Sequence, residues 1–198
     1  MTVEMGPPPA PCVPAYRWRL QDRTTVFGTW CPWCRVVHGY AWPEATARPR
    51  MAHCATRESP FCARYYRLVC LGELKDGVYA PTLAQAEMIA AVKRLSAPGG
   101  RGSAADSSIA AIPAYRLRSS PMHLAFWCPW CRDVHLHGAA AGDGHRVAHC
   151  DVESSPFRDG GYHLMCFGTA PSGRLLPHQT PQELLAVSKM LGGRGATS

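Results

Sequence analysis

The chain has 198 residues, with 21 Lys and Arg, 14 Asp and Glu, 10 Cys and 9 His. An apolar content of 46% with 18% charged residues excludes a disordered chain, and no apolar run approaches the roughly 20 residues of a membrane-spanning helix. The amino terminus lacks the pattern of a secretory signal, so we expect a cytoplasmic protein without a membrane segment. Because cytosolic thiols are kept reduced, the ten cysteines favour metal binding or redox chemistry over a disulfide framework.

An internal duplication organises the sequence. The segment VPAYRWR at 13–19 returns as IPAYRLR at 112–118, and the motif WCPWC of 30–34 returns at 127–131. RMAHC, SPF and YRLVCLG also return, in the same order, as RVAHC, SPF and YHLMCFG. The predicted organisation is a first, basic zinc-binding repeat over 13–95, a flexible linker rich in Gly and Ser over 96–111, and a second, near-neutral zinc-binding repeat over 112–191.

Each repeat alternates short strand patterns with turns and ends in a helix pattern. In the first repeat VFGTW leads into the CPWC turn, RVVHGYAW leads out of it, and RMAH and RYYRLVCLG follow, all rich in β-branched or aromatic residues. Capping boxes are predicted at Thr82 with Gln85 and at Thr180 with Glu183, where Pro181 takes the first helical position. The pattern predicts an α+β fold, a tandem duplication of a small antiparallel β zinc-binding module followed by one helix.

The recurring cysteines and histidines predict one metal site in each repeat. A CxxC turn presents two thiolates to one metal, and Zn²⁺ takes four nitrogen or sulfur ligands in a tetrahedron. Repetition of the motif with a His–Cys pair about twenty residues later makes the signal specific. We expect two zinc ions, one per repeat. The expected ligands are Cys31, Cys34 and Cys54 with His38 or His53, and Cys128, Cys131 and Cys150 with His135 or His149.

The sequence leaves the fourth ligand open. In an extended chain His38 would lie about 13 Å from Cys34, so only a turn between them would let both reach one metal. His53 and Cys54 are adjacent, and adjacent side chains of a regular strand point to opposite faces. Only an irregular strand end would therefore let both bind.

The motif WCPWC followed by a distant His–Cys pair resembles a zinc-ribbon or rubredoxin-type knuckle module. The wider pattern of WCPWC, VAHC, SPF and GY resembles small uncharacterised zinc-finger-like proteins of GC-rich actinobacteria, and the resemblance covers both repeats. It implies zinc binding together with nucleic-acid or protein binding, and it carries no biochemical activity to transfer.

Charge distribution favours nucleic acid, DNA or RNA, as the partner. Residues 13–95 hold 12 Lys and Arg against 6 Asp and Glu, whereas residues 112–191 hold 7 against 6. In the first repeat cations interleave with aromatic residues, as on surfaces that bind single strands. The candidate nucleic-acid-binding residues are Arg17, Trp18, Arg19, Arg64, Tyr66 and Arg67.

Two other functions remain open at this stage. The zinc could stabilise an adaptor that binds a protein partner, with the second repeat docking on that partner or on the first repeat. The CxxC could instead be a redox dithiol, but such dithiols lie at the start of a helix, and the β-branched RVVHGYAWP that follows is poorly suited to one. No other catalytic motif is present, so we expect a non-catalytic accessory or regulatory protein.

Overall fold

The duplication is visible in the three-dimensional structure as two sheets with the same strand order. The computed structural model describes residues 10–41, 49–51, 54–62, 64–75, 80–96, 110–139, 143–146, 150–158 and 161–191. Residues 97–109 of the predicted linker lie outside the described residues; its first residue, Ser96, ends a helix and its last, Ala111, begins a strand.

Among the described residues, each repeat contains five strands and one helix. The first repeat consists of β1 Cys12–Arg19, β2 Thr25–Cys31, β3 Val36–Ala41, β4 Arg50–Met51, β5 Tyr65–Leu74 and α1 Gln85–Ser96. The second consists of β6 Ala111–Leu117, β7 Ser120–Cys128, β8 Asp133–Gly138, β9 Gly144–Arg146, β10 Tyr162–Ala170, a short 3₁₀ turn at Gly173–Leu175, and α2 Pro181–Met190.

Strand order is β3-β2-β1-β5-β4 in the first sheet and β8-β7-β6-β10-β9 in the second. Neighbouring strands are antiparallel except for the central pair of each sheet, where β1 runs parallel to β5 and β6 runs parallel to β10. The predicted α+β fold with a repeated, mainly antiparallel β module is confirmed. The parallel pair joins the first and last strands of each repeat, which places the hairpin β2–β3 and strand β4 at opposite edges of the sheet.

The helices begin differently, and one predicted cap is wrong. At α2 the Thr180 hydroxyl accepts from the Glu183 amide and the Glu183 carboxylate accepts from the Thr180 amide, as predicted. At α1 the Glu87 carboxylate instead accepts from the Ala84 amide at 2.7 Å. Thr82 does not cap α1 because the helix begins only at Gln85, and Thr82 instead forms a backbone bridge with Thr169 of the other repeat.

Reciprocal backbone contacts join the two repeats. Glu73, near the end of β5, forms a bridge with His178, and Thr169, near the end of β10, forms the matching bridge with Thr82. Each helix contacts the first strand of its own sheet and the last strand of the other, α1 on β1 and β10, α2 on β6 and β5. These contacts relate the repeats by an approximate two-fold symmetry.

Side chains across the same boundary build a shared core. Tyr16 and Tyr115, equivalent residues of the two repeats, are both buried, and their ring centroids are 6.2 Å apart. Arg17 of β1 forms ion pairs with Glu73 of its own repeat and with Glu183 of the other. One apolar cluster therefore includes residues of both repeats, from Val13 to Leu191. No helix among the described residues is long and apolar enough to cross a membrane.

Candidate metal centres

The CPWC segment forms the turn between β2 and β3. Cys31 ends β2 opposite Val36, which begins β3, and the Arg35 amide donates to the Cys31 carbonyl at 2.8 Å. Arg35 adopts a left-handed conformation with φ 57°, and Arg132 does the same with φ 57° in the second repeat. The turn thus reverses the chain within four residues and brings β3 back alongside β2.

This reversal places His38 at the first cluster. His38 pairs with Thr29, two residues before Cys31, so the two-residue period of the strands puts Cys31 and His38 on the same face. The His38 Nε2 atom is 3.0 Å from the Cys34 Sγ atom. The separation of about 13 Å expected of an extended chain does not apply, because the turn intervenes.

Cys54 completes the first cluster from the loop that follows β4. Its Sγ atom lies 3.6 Å from the Sγ atom of Cys31. The ligand atoms of the whole group lie within 4.8 Å of one another, and three of its four residues are buried, Cys34 being half-buried. The group consists of Cys31, Cys34, His38 and Cys54.

The second repeat builds the same cluster from equivalent residues. The Sγ atoms of Cys128 and Cys150 are 3.8 Å apart, and the Cys131 Sγ atom is 3.1 Å from His135 Nε2. All ligand atoms again lie within 4.8 Å, with Cys131 the half-buried member. The same arrangement thus recurs in both repeats with the shared motif.

The dimensions of both clusters fit one tetrahedral metal ion. With metal–sulfur bonds of about 2.3 Å and metal–nitrogen bonds of about 2.0 to 2.1 Å, neighbouring ligand atoms of a tetrahedron lie about 3.5 to 3.8 Å apart. The sulfur–sulfur distances of 3.6 and 3.8 Å match that range, and the sulfur–nitrogen distances of 3.0 and 3.1 Å are slightly shorter. Each cluster can therefore hold a metal ion with four protein ligands.

Burial and hydrogen bonding set the protonation of the thiols. Burial raises the pKa of Cys31 to about 12, and it does the same for Cys128. Burial also acts to raise the pKa of Cys54, but hydrogen bonds from the amide and hydroxyl of Thr56 outweigh it and leave that pKa below the ordinary value. The pKa of Cys150 is likewise lowered, since the hydrogen bond from the Val152 amide acts against the effect of burial. A bound cation would offset the cost of a buried thiolate at the first cysteine.

A tyrosine lies behind each cluster. In the second repeat the buried Tyr162 hydroxyl lies 3.2 Å from His135 Nδ1 and 2.8 Å from His137 Nε2, so it joins the two rings. In the first repeat the equivalent Tyr66 hydroxyl is hydrogen-bonded to Tyr40, which occupies the position of His137. Such partners orient a histidine ligand and fix its tautomer.

The SPF motif packs against the turn. Phe61 meets Trp33 of the first CPWC turn edge to face at 5.6 Å, and Phe157 meets Trp130 of the second at 5.1 Å. No role for these phenylalanines or for Tyr162 was predicted from the sequence. Their recurrence in both repeats was the signal that could have identified them.

The fourth ligand of each cluster, which the sequence left open between two histidines, has one candidate in the structure. The structure brings His38 and His135 to the clusters. His53 and His149 lie outside the described residues, so these two predicted ligands have no described position.

Three of the six predicted nucleic-acid-binding side chains occupy the interior or an ion-pair network. Trp18 and Tyr66 are 9% and 4% exposed, so neither ring has a free face on which a base could stack. Arg17 is bound by Glu73 and Glu183 at the boundary between the repeats. In β5 the alternation of side chains turns Tyr66 inward, and in β1 Trp18 packs into the core beside the ion-paired Arg17. Arg19, Arg64 and Arg67 are exposed.

No protein-family model, curated protein or solved structure matches this chain. The class that the fold and the clusters define is a duplicated α+β protein with two Cys₃His sites able to hold metal. The resemblance to zinc-ribbon and knuckle modules stays a prediction carried by the motifs.

Proposed function

We propose that this protein is a non-catalytic scaffold stabilised by two structural zinc ions, one in each repeat. The observation that carries the proposal is the closed set of four protein ligand atoms in each cluster, all within 4.8 Å. A catalytic zinc keeps one position open for water or substrate, whereas a structural zinc is enclosed by four side chains. Three thiolates and one imidazole in a tetrahedron favour Zn²⁺ over harder cations such as Mg²⁺ or Ca²⁺.

The location of the CPWC segment argues against a redox dithiol. Thioredoxin-type dithiols lie at a helix N-terminus, whose positive end lowers the pKa of the first thiol. Here the first cysteine ends a strand in a hairpin, and burial raises its pKa to about 12. The hairpin position of the motif, away from a helix N-terminus, therefore favours a structural role over a redox one.

The accessory role that the charge favours is nucleic-acid binding, to DNA or RNA. The basic residues concentrate in the first repeat, and Arg19, Arg64 and Arg67 present exposed cations there. Phosphate contacts by such residues supply most of the sequence-independent affinity of nucleic-acid-binding proteins. The zinc ions would then hold the sheet that displays them.

An adaptor that binds a protein partner is the second candidate. Apolar side chains are exposed on the outer strands of both sheets, including Val36 at 50% and Leu136 at 46%. Both residues belong to the edge strands β3 and β8, where the sheet has an unpaired side that a partner strand could extend.

Metal analysis of the full chain, purified without added metal, tests the scaffold. We expect about two zinc ions per chain, and six of the ten thiols protected from a thiol reagent until a chelator is added. Protein that folds without metal and exposes all ten thiols would contradict the proposal. Affinity for oligonucleotides that falls steeply with salt selects nucleic-acid binding over the adaptor, because only phosphate contacts release counterions in this way.

A further inference from the structure

One exposed region of the first sheet has the composition of a nucleic-acid contact. Met51 of β4 lies directly opposite Tyr65 of β5, and the two side chains are 53% and 55% exposed. Arg67 follows on the same face of β5 and is exposed, whereas Tyr66 and Leu68 point to the interior. Arg64, also exposed, immediately precedes the strand. We call Met51, Arg64, Tyr65 and Arg67 the β4–β5 surface.

The second repeat lacks this surface although its fold is the same. Gly161 stands at the position of Tyr65, and His163 stands at that of Arg67. Residues 55–67 hold three Arg and one Glu, while the equivalent residues 151–163 hold one Arg and three acidic residues. Because a common scaffold carries both versions, the cations and the exposed tyrosine are not needed to build the sheet.

The chemistry of the surface selects a ligand with both an anionic backbone and accessible ring faces. An exposed tyrosine between two arginines can stack on a base while the guanidinium groups contact the flanking phosphates. Bases offer their faces only where the strand is unpaired, since a duplex keeps them stacked inside. A protein partner would need acidic side chains to pair with these cations.

We propose that the β4–β5 surface of the first repeat binds single-stranded nucleic acid, with Tyr65 stacking on a base and Arg64 and Arg67 holding adjacent phosphates. The proposal rests on nucleic-acid binding as the role of the scaffold and assigns that role to one face of one repeat. It also replaces the buried Trp18 and Tyr66 by the exposed Tyr65 as the stacking residue.

Fluorescence anisotropy of the zinc-replete full chain with a labelled oligothymidylate of about 20 nucleotides tests the surface. We expect Tyr65→Ala to weaken binding about tenfold, since stacking on one aromatic ring contributes roughly 1 to 3 kcal/mol and tenfold corresponds to about 1.4 kcal/mol. The double variant R64Q/R67Q should bind more weakly still. For this double variant the slope of log affinity against log salt should become less steep by about 1.4, because each lost phosphate contact reduces the magnitude of the slope by about 0.7.

Matched controls separate the surface from general charge and from folding. R118Q/R174Q removes two exposed arginines from the second repeat and should leave affinity within about twofold, apart from small long-range screening effects. Zinc content and thermal unfolding of each variant show that the fold is retained. Loss of binding in a variant counts only if both measurements match the wild type.

The possible failures have different meanings. If the wild type binds and Tyr65→Ala binds equally well, nucleic-acid binding stands and the assigned surface is wrong. If the zinc-replete wild type binds no oligonucleotide, the nucleic-acid role and the surface both fail, while the zinc scaffold is untouched. Stronger binding to a duplex of the same length, or to polyglutamate with the same dependence on Arg64 and Arg67, would also overturn the single-strand assignment.

Discussion

The two candidate metal sites contain the same four residue types in different surroundings. Behind the cluster of the second repeat, Tyr162 links His135 to His137; behind that of the first, Tyr66 is bonded to Tyr40 instead. Outside the clusters the charge also differs, since residues 55–67 hold three Arg and one Glu whereas the equivalent residues 151–163 hold one Arg and three acidic residues. The turn, the cysteines and the packing of SPF on the turn are common to both. The comparison therefore separates the features that both clusters share from the residues around them that differ between the repeats.

Removal of one cysteine ligand should have the largest effect and tests whether the copies are independent. We expect Cys54→Ser to abolish zinc binding in the first repeat and to forfeit a large part of the roughly 10 to 16 kcal/mol with which structural zinc supports folding. Since one apolar core spans both repeats, both should unfold together. Circular dichroism against temperature and elemental analysis measure this. Cys62→Ser, outside the cluster, is the control. A stable second repeat in Cys54→Ser would show two independent folding units.

Two glycines test the symmetry of the contact between the repeats. Gly72 and Gly168 have φ of +133° and +107°, and a Cβ at either would lie under 3 Å from a carbonyl oxygen of the other repeat, that of His178 or Thr82. We expect Gly72→Ala and Gly168→Ala each to lower the free energy of unfolding by about 3 kcal/mol, measured in urea. Gly138→Ala, where nothing lies within 4 Å, should not destabilise. Unequal costs at the two glycines would show that the boundary is not symmetric.

Replacement of each supporting tyrosine probes the difference behind the clusters. Tyr162→Phe keeps the ring and its edge contacts but removes the hydrogen bonds to His135 and His137. We expect the zinc affinity of the second site to fall about tenfold to a hundredfold, as for other partners of ligand histidines. Competition with a chromophoric chelator measures it. Tyr66→Phe supplies the comparison in the first repeat, and unchanged zinc release in Tyr162→Phe would exclude a role for this hydroxyl.

The ion pair across the boundary should have the smallest effect. Glu183→Gln keeps an amide oxygen for the cap of α2 but removes the charge paired with Arg17. Both side chains are partly exposed, so we expect a loss of about 1 kcal/mol that shrinks with added salt. Glu87→Gln is the matched change in α1, where the carboxylate bonds the helix's own Ala84 amide. Equal losses at low and high salt would remove the electrostatic explanation.

Local features of the fold were predictable because they depend on short stretches of sequence. The repetition of WCPWC and of the other motifs predicted two equivalent modules, and Thr180, Pro181 and Glu183 predicted the start of α2. The thiols of the clusters followed from the CxxC spacing and the recurring His–Cys pair. Each of these signals lies within a few residues or is repeated in both halves.

Features that depend on distant contacts were not predictable. His38 reaches the cluster through a turn in which Arg35 adopts a left-handed conformation. This conformation is uncommon for arginine, and the sequence does not predict it. Thr82 fits a cap sequence, but its backbone pairs with a strand of the other repeat. Likewise, whether Trp18 is a core residue or a surface residue depends on what packs against β1, and most of that comes from elsewhere in the chain.

The reciprocal bridges also bear on how such a chain could arise and diverge. The bridges Glu73–His178 and Thr169–Thr82 join equivalent residues in opposite directions. This is the pattern of a two-fold homodimer interface, but here both halves belong to one chain. Association of two separate copies would depend on protein concentration. When both copies are on one chain, each meets the other at an effective concentration in the millimolar range. Once paired in this way, each half needs only to preserve the shared boundary. The outer face of one repeat can then mutate while that of the other repeat stays the same. The two repeats of one chain can therefore acquire different functions, whereas the identical subunits of a homodimer cannot.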